Sequence, residues 1–142
     1  LGLESLHVRM ARHCENGQAV AEFLASHPKI AYVNYCGLPG DKYHAVAEKY
    51  LPNGSCGVVS FGVKGGREAA AAFMGHLKIA AIETHVADAR TCCLHPASST
   101  HRQMNDEQLI AAGVQPELVR MSCGLEDKND LIHDIAQALD QI

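Results

Sequence analysis

Glu117-Leu118-Val119-Arg120-Met121-Ser122-Cys123 is the stretch that decides the fold. Side chains alternate across a strand, so Val119, Met121 and Cys123 share one face while Leu118, Arg120 and Ser122 share the other. The first trio suits a layer of helices. The second leaves a guanidinium beside a hydroxyl on the opposite face. A sheet clothed by helices on one side and chemically equipped on the other follows from these seven residues.

Working outward, strands and helices alternate. Leu3, Leu6, Met10, Cys14, Gly17, Ala21 and Leu24 recur at three- and four-residue steps, one stripe of an amphipathic helix ended by His27-Pro28. Ile30–Tyr35 is a β-branched and aromatic run closed by Gly37-Leu38-Pro39-Gly40. Asp41 is expected to cap a helix that stops near Leu51-Pro52. Cys56–Val63 reads as a second strand, and Gly65-Gly66 turns the chain into an Ala-rich helix from Arg67 to Leu77. Lys78–Ile82 and Thr91–Leu94 are brief strands, and the stretch from Pro96 to Met104 is loop-like. Asn105 with Gln108 three residues later is a capping-box pair, which places a short helix up to Ala112-Gly113. Asp127–Ile142 carries Leu131, Ile135, Ala138, Leu139 and Ile142 on one helical side. The pattern predicts an α+β fold, a small sheet covered by helices on one face.

Length and composition bound the function. At 142 residues, one core is expected, and 47% hydrophobic with 20% charged residues excludes a disordered chain. No apolar run approaches the ~20 residues of a membrane-spanning helix. The net charge of -4 and only 5% aromatic residues give nucleic acid neither a basic patch nor a stacking surface. Six cysteines, two of them adjacent at Cys92-Cys93, read as buried thiols in a reducing cytoplasm rather than as disulfide staples. The opening Leu1-Gly2-Leu3-Glu4 lacks a methionine and runs straight into a helical pattern, which reads as a segment of a longer protein.

Three clusters are candidates for chemistry. Arg120 offers a planar fork of donors suited to a carboxylate, against the plainer reading of a surface arginine paired with Asp or Glu. His85, Cys92, Cys93, His95 and His101 crowd the middle of the chain, but Cys92-Cys93-x-His95 lacks zinc-ligand spacing and adjacent strand residues face apart. No metal is expected. Ser98, Ser99, His95 and His101 lie close without a nucleophile-elbow motif, so local hydrogen bonding of a loop is the expected role. The remaining histidines, among them His13, are expected at solvent-facing or half-buried helix positions. Tyr32, Tyr35, Tyr43 and Tyr50 are expected in or beside the core. Gly62-x-x-Gly65-Gly66 precedes a helix but matches no phosphate-binding spacing.

Six segments together resemble the Cys/Met-metabolism family of pyridoxal-phosphate enzymes. They are Arg9–Asn16, Val33–Pro39, Phe61–Arg67, His85–Thr91 (HVADART), His95–His101 (HPASSTH) and Val119–Glu126 (VRMSCGLE). The resemblance covers essentially all 142 residues and is greatest to members acting on O-acetylhomoserine and sulfide. It implies a fold-type I enzyme of which residues 1–142 form the small C-terminal domain, with an antiparallel-rich sheet. It also implies that Arg120 binds the α-carboxylate of an amino-acid substrate and that His85, where relatives commonly hold Ser or Asn, assists. Ala87 stands where relatives commonly have Gly.

The same resemblance implies pyridoxal phosphate as cofactor, held by a lysine and other groups of an upstream domain. None of Lys29, Lys42, Lys49, Lys64, Lys78 and Lys128 has the matching context. The segment alone is therefore expected to be inactive and free of cofactor, and the intact protein a cytoplasmic homotetramer. γ-Synthase or γ-lyase chemistry within the family is the alternative activity. A non-catalytic interaction or metal-binding module is the alternative of a different class.

Overall fold

The computed structural model describes residues 2–142. Five strands, β1 (Ile30–Asn34), β2 (Val58–Val63), β3 (Ala81–Ile82), β4 (Cys92–Leu94) and β5 (Leu118–Ser122), form one sheet in the order β1-β2-β5-β4-β3. The pairs β1–β2, β2–β5 and β4–β5 are antiparallel, and β3–β4 is parallel. The α+β arrangement expected from the alternation is the one observed.

Helices α1 (Leu6–Ser26), α3 (Gly66–His76) and α5 (Lys128–Asp140) cover one face, while α2 (His44–Tyr50) and α4 (Asp106–Ala111) are shorter and peripheral. Val59, Phe61, Val119 and Met121 from the central strands meet Val20, Leu24, Phe73, Leu131, Ile135 and Leu139 from the helices in one apolar core. Phe61 and Phe73 meet edge to face, with ring centroids 5.8 Å apart. Gly17 lets α1 lie close to the sheet, because a Cβ there would stand 2.5 Å from the Cys56 carbonyl oxygen. Asn105 and Gln108 form the expected capping box, each side chain accepting from the other's backbone N–H.

Several expectations are corrected. The buried stripe of α1 is His13, Asn16, Gly17, Val20, Ala21 and Leu24, shifted toward the helix C-terminus, and Leu3 is exposed. His13, expected at or near the surface, is buried because its Nδ1–H donates to the Cys123 carbonyl at 2.7 Å. Asp41 does not cap α2. Its carboxylate instead accepts from the Tyr43 N–H at 2.8 Å, and the helix begins after that turn. Tyr43 and Tyr50 are exposed on α2, whereas Tyr35 is in the core.

The strand expected over Lys78–Ile82 shrinks to two residues for a specific reason. The buried Asp134 carboxylate of α5 accepts from the backbone N–H groups of Lys78, Ile79 and Ala80 at 2.8, 2.9 and 3.1 Å. A side chain thus replaces a strand partner. Removing it strands up to three amides away from water, so Asp134→Ala is expected to cost about 3 kcal/mol. Urea unfolding measures this; a loss below about 1 kcal/mol would contradict the role assigned to the carboxylate.

Candidate functional site

Alternation on β5 holds as read. Val119, Met121 and Cys123 are 0% exposed beneath the helices. Arg120 stands on the other face, between Ser60 of β2 and Leu94 of β4 in the pairing register. It is half-buried, neither sealed in apolar packing nor turned toward the helical layer. Its Nη2 donates to the Thr84 carbonyl at 2.7 Å, while its Nε is buried without a partner among the described residues. One edge of the guanidinium is committed to the protein. The chemistry left over is donor capacity on a rigid strand, which suits a carboxylate.

His85 lies next to Thr84 on the exposed stretch from residue 83 to residue 90, so the sequence-expected pair falls in one neighbourhood. The imidazole lies beside two carboxylates of the same stretch. It is 63% exposed, with Nδ1 3.1 Å from Glu83 Oε2 and 3.9 Å from Asp88 Oδ2. The backbone amides of Thr84, His85 and Val86 make no hydrogen bond among the described residues. They are free to serve an anion.

Ala87 turns this stretch. It has φ +57°, the left-handed region, and its N–H donates to Ser122 Oγ at 3.0 Å. The hydroxyl read as Arg120's neighbour therefore holds the loop. Further along, Thr91 donates through N and Oγ1 to the two oxygens of Glu126, both at 2.7 Å, and its Oγ1 accepts from the Gly124 N–H at 2.8 Å. Asn16 Nδ2 donates to the Gly124 and Glu126 carbonyls at 2.9 and 2.8 Å. Asn16, Thr91 and Glu126 carry no spacing signal, being brought together across 35 and 110 residues. Only their presence within the segments of family resemblance marked them.

The other candidate clusters are structural. His95 Nε2–H donates to the Pro116 carbonyl at 2.8 Å, which leaves Nδ1 to accept from Ser98 Oγ at 2.9 Å. Burial lowers the His95 pKa, as befits a neutral imidazole. Ser99 Oγ donates to the His95 carbonyl at 2.7 Å, so the hydroxyls tie the loop as expected. All six cysteines are free. Cys92, Cys93 and Cys123 are buried; Cys14, Cys36 and Cys56 are only half-buried. Burial pushes the Cys123 thiol up to about 12 and the Cys93 thiol higher still, which disfavours the nucleophilic thiolate. Among the described residues no three His, Cys, Asp or Glu side chains converge as a metal site, and no helix is long and apolar enough to cross a membrane.

Known proteins share this arrangement. The sequence model of the Cys/Met metabolism PLP-dependent enzymes matches residues 1–140. The chain belongs to that family. Homocysteine synthase of Schizosaccharomyces pombe is 45% identical over 139 residues, covering 98% of this chain and 32% of that protein. O-acetyl-L-homoserine sulfhydrylase of Leptospira meyeri is 45% identical over 142 residues, 99% of this chain and 32% of its own length. An L-methionine gamma-lyase of Fusobacterium nucleatum subsp. polymorphum is 40% identical over 141 residues, 99% of this chain and 35% of its own. A crystal structure from Campylobacter jejuni, assigned as an O-acetylhomoserine (thiol)-lyase and carrying a pyridoxyl-lysine monophosphate, superposes with TM-score 0.89. It is 38% identical and matches 98% of this chain, 33% of that one. The chain thus spans about a third of the length of these relatives.

The cofactor of this Cys/Met metabolism family needs a lysine, and the lysines here are engaged away from Arg120. Lys29 Nζ donates to the Leu139 and Ile142 carbonyls, Lys64 Nζ to Pro28, and Lys128 Nζ to Glu15. Lys42 and Lys49 lie over the rings of Tyr43 and Tyr50, and Lys78 borders α5. The residues around Arg120 fit a carboxylate.

Ala87 gives a direct check on the loop. A left-handed alanine costs roughly 1–2 kcal/mol, and a glycine there loses about 0.5–1 kcal/mol through unfolded-chain entropy. Ala87→Gly is therefore expected to raise the unfolding free energy by about 0.5–1 kcal/mol in chemical denaturation. A destabilised variant would contradict the left-handed turn.

Proposed function

We propose that this chain is the substrate-carboxylate-binding, C-terminal part of a pyridoxal-phosphate-dependent sulfhydrylase. The reaction is O-acetyl-L-homoserine plus sulfide to L-homocysteine plus acetate. The observation that carries the reading is Arg120: a guanidinium on the helix-free face, one edge held by the Thr84 carbonyl at 2.7 Å and the remainder uncommitted. Relatives bearing the sulfhydrylase and homocysteine synthase names support the choice of reaction.

In this reading pyridoxal phosphate would be held by residues other than these 142 and would supply electron-withdrawing chemistry at the substrate Cα. This chain's residues bind and orient. Arg120 takes the α-carboxylate, and the amides of Thr84, His85 and Val86, on the stretch whose Thr84 carbonyl it holds, are without a partner among the described residues. Fixing the carboxylate sets the direction of the Cα–H bond, so the contribution is to positioning. His85 assists from the loop, its imidazole engaged with Glu83.

The reading extends to a larger assembly. Tyr43, Val46, Tyr50 and Leu51 expose an apolar side on and beside α2, which supports burial in an intact homotetramer. Six free thiols suit a reducing compartment, and we place the protein in the cytoplasm. The γ-lyase relatives favour a second reading, thiol release from methionine on the same carboxylate site.

Charge-assisted hydrogen bonds contribute about 1.5–3 kcal/mol each. In the cofactor-loaded full-length protein, Arg120→Ala is expected to raise KM for O-acetyl-L-homoserine about 10- to 100-fold. Unchanged KM would remove Arg120 from the site. Sulfide-dependent homocysteine formation distinguishes the sulfhydrylase from methanethiol release, which the γ-lyase reading requires.

A further inference from the structure

Residues 83–90 are exposed, yet four points tie the stretch between Thr84 and Thr91 to the chain that runs from Arg120 to Glu126. Arg120 Nη2 donates to the Thr84 carbonyl at 2.7 Å. The Ala87 N–H donates to Ser122 Oγ at 3.0 Å. The Leu125 N–H donates to the Ala89 carbonyl at 2.8 Å. Thr91 donates twice to the Glu126 carboxylate, both at 2.7 Å. The order is the same on both sides, so the two stretches are zipped in parallel. Side chains supply three of the four ties.

The far end of this zipper is its firmest. Thr91 is 0% exposed, and its hydroxyl both donates to Glu126 and accepts from the Gly124 N–H. Gly124 permits the approach, since a Cβ there would stand 2.5 Å from Ala89 O, Arg90 C and Thr91 N alike. Asn16 then fastens Gly124 and Glu126 to α1.

We propose that Thr91 and Glu126 are positioning residues for the substrate carboxylate, acting through Arg120. The Glu83 N–H on the Cys93 carbonyl at 3.1 Å fixes the near end of the 84–91 stretch. Thr91 and Glu126 hold its far end, and so set the path of the stretch whose Thr84 carbonyl orients the guanidinium. The proposal rests on the carboxylate reading of Arg120, and the test separates the two.

The test uses the cofactor-loaded full-length protein and two unreactive ligands, L-norleucine and L-norleucine amide, which differ only at the carboxylate. Calorimetry gives the ratio of their affinities in each variant. Thr91→Val keeps the shape and removes the hydroxyl; it is expected to weaken norleucine about 10-fold and leave the amide within about 2-fold. Thr91→Ser restores the hydroxyl and the ratio. Glu126→Gln, which loses one of two acceptors, is the second variant should Thr91→Val not fold, and is expected to lower the ratio in the same direction. General damage to the fold would weaken both ligands equally and overturn the proposal. If Arg120→Ala collapses the ratio while Thr91→Val and Glu126→Gln leave it intact, the proposal fails and the carboxylate reading stands. If Arg120→Ala leaves the ratio intact, the carboxylate reading fails and the proposal with it.

Discussion

One constraint organises the working side of this molecule: an exposed, irregular segment must sit still beside a strand that offers it no ladder. A continuous backbone ladder would require the segment to be extended, and its left-handed turn at Ala87 breaks that, leaving one backbone tie from the Leu125 N–H to the Ala89 carbonyl. Side chains take over. Ser122, Thr91 and Glu126 accept or donate where a neighbouring strand otherwise would. The buried hydroxyl of Thr91 bonds in both directions, which leaves no polar group of that side chain unsatisfied. The Glu83 N–H on the Cys93 carbonyl at 3.1 Å anchors the near end of the segment, and these ties hold the rest, so the Thr84 carbonyl and the guanidinium it accepts from keep a fixed relation.

The helical face does a different job. Its core of Phe61, Phe73, Leu24 and the α5 leucines holds the sheet flat against three helices, and so sets where β5 presents its other face. The two sides meet at α1, where His13 and Asn16 reach from the packed face to the backbone just past β5. Packing and chemistry are thereby joined through the three residues that follow Met121. Asp134 does comparable work on the other side of β3, replacing strand partners for the residues before it.

Much of this was legible in the sequence where the signal is periodic. Two-residue alternation placed Arg120 opposite Val119 and Met121, and three-residue spacing revealed the Asn105–Gln108 cap. Contacts over long separations leave no such period. His13 looks like any polar helix residue until Cys123, 110 positions away, supplies its carbonyl. Glu126 and Asp127 both precede α5, yet only Asp127 caps it, while Glu126 binds Thr91 across 35 residues. His85 was legible as a position, while its neighbours Glu83 and Asp88, 3.1 and 3.9 Å from its Nδ1, carry no motif signal. Composition and motif order identified the family; only coordinates show what keeps the loop rigid.

The segment leading to Thr91 is a fixed part of the fold rather than a loose loop. Hydrogen exchange at the Gly124 N–H, which donates to Thr91 Oγ1, reads this directly. This amide is expected to exchange only through global unfolding, at the slow rate of the β5 core amides. Exchange as fast as that of exposed loop amides such as His85 would contradict it.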